Sequence, residues 1–120
     1  MCKRYSKIAL YVNEFFIIHK ECKVIITSSS KYNLNNIWKE ICKLIRPSYL
    51  CAEKCIHDNY GDHDKIIIPV LAINNSPESL MGFTSNNILI IVDKSVQFPN
   101  NCIEVLLGYS STGAEIIEIK

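Results

Sequence analysis

The feature that most restricts the fold of this chain is Ile88-Leu89-Ile90-Ile91-Val92, five consecutive apolar residues between the loop Gly82-Phe83-Thr84-Ser85-Asn86-Asn87 and Asp93-Lys94-Ser95. A strand with one wet face alternates polar and apolar residues, whereas an unbroken run of branched side chains needs cover on both faces. Two further runs share this character. Lys23-Val24-Ile25-Ile26-Thr27 leads into Ser28-Ser29-Ser30, and Ile66-Ile67-Ile68 continues to Val70 and Leu71. Glu115 to Ile119, with Ile116, Ile117 and Ile119, reads as a last strand.

The cover has to come from helices, and three segments carry the required spacing. From Ser6 to Lys20, the residues Ile8, Tyr11, Val12, Phe15 and Ile18 recur every three or four positions. Asn33 is placed to cap a second helix over Leu34, Ile37, Trp38, Ile41, Leu44 and Ile45, which Pro47 stops after Arg46. Trp38 falls on the apolar stripe of that helix and reads as a core anchor rather than a base-stacking platform. Pro99 starts a short helix over Ile103, Val105, Leu106 and Leu107 that ends near Gly108. Ser48 to Asp64 is polar and without periodicity, and Asn74 to Ser79 breaks regular structure. Helices alternating with continuous apolar strands predict an α/β fold with a largely parallel sheet flanked by helices.

With 120 residues, 48% of them hydrophobic, the chain reads as a single core-forming domain spanning 1–120. Its net charge of +1, from 13 basic and 12 acidic side chains, holds no polybasic run for a phosphate backbone. No apolar run approaches the ~20 residues that cross a bilayer, and the amino terminus lacks a signal-peptide layout. A cytoplasmic protein with no membrane partner is the expectation. The six cysteines then read as reduced, small hydrophobic residues.

Three blocks, taken in order, resemble one family. Lys23 to Ser30 followed by Ile37-Trp38-Lys39-Glu40-Ile41 is similar to a strand ending in a Thr-Ala-Pro-type loop and a helix carrying Trp-Arg-Glu-Ile, with Ser28-Ser29 in place of Ala-Pro. Asn75-Ser76-Pro77-Glu78-Ser79-Leu80-Met81-Gly82-Phe83 resembles an Asp-Pro-Glu loop that closes in Gln-Gly-Phe-His, matching at Pro77, Glu78, Gly82 and Phe83. Ile88 to Asp93, with Pro99 and Glu104 after it, resembles a Val-Asp-Glu-Ala strand end and the helix that follows. Taken together, the three resemble the ATPase region of bacteriophage terminase large subunits, the motors that drive DNA into capsids.

The resemblance implies a partial P-loop-NTPase-like fold lacking the phosphate-loop strand. Asp93 would be the aspartate on the Mg²⁺ side, holding a water of the ion bound to ATP phosphates. Lys94 stands where the family has the glutamate that polarises the attacking water, and a cation cannot act as that base. No Gly-x-x-x-x-Gly-Lys-Ser/Thr loop occurs in the sequence. Lys3 falls where the loop lysine would be, but Arg4 replaces the metal-binding hydroxyl and no glycines precede it. The expectation is therefore a truncated, non-catalytic prophage remnant, binding Mg·ATP only if the ancestral site survives. Its implied partners are other terminase or phage-derived chains, with DNA engaged only within an intact motor.

Two readings from other classes stand beside this one. A small α/β module could dock on another chain through a sheet edge or apolar area left uncovered. Cys51, Cys55, His57 and His63 also carry the atom types of a tetrahedral Zn²⁺ site, although their spacing fits zinc knuckles only loosely and incidental loop cysteines are the simpler account.

Overall fold

The computed structural model describes residues 3–44, 49–51, 56–58, 65–73 and 77–120. In chain order its elements are α1 (Lys3–Ile18), β1 (Cys22–Ser28), α2 (Lys31–Leu44), β2 (Tyr49–Cys51), β3 (Ile56–Asp58), β4 (Lys65–Leu71), the single-turn 3-10 helix η1 (Pro77–Leu80), β5 (Ile88–Asp93), α3 (Asn100–Ser111) and β6 (Glu115–Ile119). The strands form one six-stranded sheet of order β2-β3-β4-β1-β5-β6. Its four strands β4-β1-β5-β6 are parallel, and β2 and β3 join antiparallel beside β4.

Each apolar run becomes a parallel strand because both its faces are covered. On β1, Val24 and Ile26 face the layer of α1 and α2, together with Leu89 and Ile91 of β5 and Ile67 of β4. Ile25, between them, joins Ile90 and Val92 of β5 under η1 and α3. Sheet and helices thus make three layers. The chain leaves β1 through α2 on one face and leaves β5 through α3 on the other, reaching strands on opposite sides of the β1/β5 pair. The carboxyl ends of β1 and β5 therefore form the topological switch point of the sheet, where open α/β folds gather ligand groups.

Pro69 lies inside β4 without breaking it. The Ala72 N–H donates to the Ser28 carbonyl at 2.9 Å, so the even-numbered residues of β4 turn their backbone groups toward β1 and Pro69 turns its nitrogen outward. Among the described residues, β3 pairs with β4 at Ile66 and Ile67. The missing N–H of Pro69 therefore removes no bond from the ladder with β1.

Four expectations need correction. α1 buries Tyr5, Ala9, Val12, Phe15 and Phe16, whereas Ile18 is 72% exposed and Tyr11 is also on the surface. The helix is apolar on nearly every side, so spacing alone does not select the face. α2 is capped by Ser30, whose hydroxyl accepts from the Asn33 N–H at 3.2 Å, and not by Asn33 itself. α3 runs through Gly108 and stops three residues later; Gly113, at φ +98°, turns the chain toward β6. The polar stretch after Pro47 contributes β2 and β3, each of three residues, too short to show a period.

Candidate functional site

Asp93 ends β5 at the switch point and is fully buried. Its parity on the strand puts the carboxylate on the α1/α2 side, next to the end of β1. One oxygen, Oδ1, accepts from the Ser95 N–H at 3.0 Å and the Ser95 hydroxyl at 2.5 Å. The other, Oδ2, accepts from the Ser28 hydroxyl at 2.9 Å and the Asn33 amide at 3.1 Å. Four donors thus fill the four lone-pair positions of one carboxylate.

The cluster ties three elements together. Ser28 closes β1, donates to Asp93 and accepts from the Ser30 N–H at 3.0 Å. Asn33 sits in the first turn of α2, so its contact with Asp93 fixes that helix against β5. Ser29 extends the seam by donating to the Gln97 carbonyl at 2.6 Å. Burial alone pushes the Asp93 pKa up, but the donors from Ser95, Ser28 and Asn33 outweigh it and hold the carboxyl below its ordinary value. The group is an anion satisfied from within the chain.

A cavity of about 590 Å³ opens beside this cluster, lined by Tyr5, Tyr32, Asn33, Asn36, Ser95 and Lys120 among others. Lys3 is the first residue of α1, two positions before Tyr5. Lys94 turns to the opposite face, where its Nζ meets the Glu118 carboxylate at 2.6 Å and holds that carboxyl below its usual pKa. Asp93 and Lys94, adjacent in sequence, therefore do not share a site. Thr27, one residue before Ser28, is fully buried with no hydrogen-bond partner for its hydroxyl.

Among the proposed zinc ligands, Cys55 and His63 lie outside the described residues. Cys51 stands opposite Ile56 and His57 opposite Leu50 in the β2/β3 ladder. Among the described residues no group of three or more metal-binding side chains comes together. Cys22, Cys42 and Cys102 form no disulfide, and burial pushes the Cys22 thiol up to about 11, against the lowering effect of Lys65.

Sequence reasoning singled out Asp93 but missed Ser28 and Ser95 as its partners. The signal for Ser95 was readable, since an aspartate two residues before a serine commonly accepts the serine N–H in an Asx turn. Ser28 could be assigned only once β1 and β5 were known to be neighbours. No protein-family model matches the chain, and no curated protein or solved structure is significantly similar to it.

Proposed function

We propose that this chain is a degenerate relative of the ATPase region of phage terminase large subunits and hydrolyses little or no ATP itself. The observation that carries the reading is the position of Asp93: it ends a buried parallel strand at the switch point, beside the strand and helix that hold the first resembling block. That is where a P-loop-type ATPase needs its Mg²⁺-side aspartate. The three blocks also fall in chain order on β1 with α2, on η1 and the loop after it, and on β5 with α3, with β2, β3 and β4 between the first block and the second.

The residues present do not fit Mg·ATP. Asp93 already accepts four internal hydrogen bonds, and among the described residues no group of three or more possible metal ligands gathers. No glycine-rich loop offers an N–H cradle, and Lys94 is paired with Glu118 on the far side of the sheet. The carboxylate acts as a cross-brace in this chain. A thermal melt with and without Mg·ATP tests the reading, because a ligand of the native state raises the midpoint. A cooperative melt with no shift is the expected outcome. A reproducible rise, or hydrolysis abolished by Asp93→Ala, would overturn the non-catalytic part. Out-of-frame phosphate-loop and nuclease sequence in the flanking coding DNA tests the ancestry.

A second reading, as a protein-interaction module, is favoured by one observation: among the described residues nothing pairs with the outer edge of β6. Binding of an apolar dye to the isolated chain is its test, and a strict monomer that binds none would rule it out.

A further inference from the structure

We propose that the outer edge of β6 receives a second copy of this chain, β6 against β6 in antiparallel register, with a two-fold axis through Ile117. The inference rests on the interaction-module reading and names the partner.

The backbone phase comes first. The Lys94 N–H donates to the Ile119 carbonyl at 2.7 Å, so Glu115, Ile117 and Ile119 turn their backbone groups toward β5. Ile116 and Glu118 turn theirs outward. A two-fold axis at Ile117 sets Ile116 of each copy against Glu118 of the other, and these outward residues exchange N–H and C=O bonds as a hydrogen-bonded antiparallel pair. Ile117 then meets its own counterpart at the closer, non-hydrogen-bonded position, Glu115 meets Ile119, and no like charges stand directly opposite. Both glutamates are already engaged internally, Glu115 by the Tyr11 hydroxyl and Glu118 by Lys94.

The flanks of the edge agree. Tyr5 shares a cavity with Lys120 and Tyr11 bonds to Glu115, so α1 runs antiparallel along β6. Leu10 and Tyr11 are exposed on it, with exposed Lys7 on one side and exposed Glu14 an equal distance on the other. An antiparallel α1 from a second copy would place each lysine against a glutamate across an apolar centre, which is charge self-complementarity. On the other face, Leu107 of α3 is 63% exposed and lines a cavity of about 450 Å³ with Ile116 and Glu118. Apolar surface on both faces of an edge that nothing among the described residues pairs with calls for a strand that is apolar on both sides, and Ile116-Ile117-Glu118-Ile119 is largely such a strand.

The test is molar mass by light scattering across a concentration series, together with a single cysteine placed at the axis. Twice the chain mass is expected, and Ile117→Cys should form a covalent dimer on oxidation, because the Cα separation of a non-hydrogen-bonded antiparallel pair suits a disulfide. Wild type and Ile116→Cys should not cross-link in this way. Ile116→Pro, which removes an outward N–H from an edge strand, should give a folded chain of half the dimer mass. A single-chain mass at every concentration overturns the proposal, as does cross-linking through Ile116→Cys in place of Ile117→Cys. Apolar-dye binding separates the two levels: a monomer that binds dye ends the second-copy proposal and leaves the module reading standing, whereas a monomer that binds none ends both.

Discussion

The two faces of the sheet are covered unequally. On one, α1 and α2 lay two full helices over a cluster that includes Phe15, Phe16, Trp38 and Ile41. On the other, α3 shares the work with the single turn of η1 and with Phe98, and among the described residues the buried cluster is half as numerous. Cavities of about 450 and 600 Å³ open on this thinner face, the second between the Met81 to Ser85 loop and α3, while the cavity of about 590 Å³ on the α1/α2 side lies at the carboxyl ends of the strands beside Asp93. The middle of one strand thus has two environments: a side under two full helices that resists change and a loosely roofed side with room to relax.

Ile91 and Ile90 isolate that difference, since they are neighbours on β5, both fully buried, and face opposite layers. Ile91→Ala should lower unfolding free energy by about 3–5 kcal/mol and Ile90→Ala by about 2–3 kcal/mol, because the cost of a truncated side chain grows with the cavity that cannot collapse. Equal losses in urea unfolding would break the comparison.

Asp93→Ala comes next, at about 2–4 kcal/mol, since it leaves the buried Ser28 hydroxyl and its companion donors without their acceptor. Its pH dependence has a definite sign. The folded carboxyl titrates below its unfolded counterpart, so its contribution is fully present above the unfolded value of about 3.9 and is lost as pH falls through the folded value. The gap between wild type and Asp93→Ala, measured by unfolding at a series of pH values, should therefore be widest near neutrality and narrow below about pH 4.

Two substitutions on the thin face should stabilise. Thr27→Val removes a buried hydroxyl that has no partner while keeping the side-chain shape, for a gain of about 1 kcal/mol. Gly108→Ala places a methyl group in open space within α3, for a gain of about 0.5–1 kcal/mol. A rise in melting temperature checks both. Lys94→Ala should have the smallest effect, within about 0.5 kcal/mol, because its ion pair with Glu118 is partly solvated; a larger loss in the same unfolding assay would show the thin face to depend on its rim.

The parallel strands were legible in the sequence because a run such as Ile88 to Val92 has one stable environment, a sheet covered on both sides. The helix faces were less so. α1 offers apolar residues on most of its surface, and only contact with the sheet selects Tyr5, Ala9, Val12 and Phe16 over Ile18. β2 and β3 were not legible because three residues contain no period and pairing supplies their order. The same holds at the switch point. Asp93 was visible as a strand-end carboxylate, but Ser28 is 65 residues away and joins it only through the parallel pairing of β1 with β5.

Pro69 gives the sheet a polarity of growth. Among the described residues, the outer side of β4 past Ile67 runs through a residue that cannot donate, and the margin on that side is the three-residue strand β2. Those residues offer little template for another chain. A sheet with two receptive margins can stack without limit into a fibre, whereas one with a single receptive margin is used up by one neighbour. Association through β6 would accordingly saturate at a discrete particle, and a solution of this protein would grow more populated with pairs, not longer in filaments, as it is concentrated.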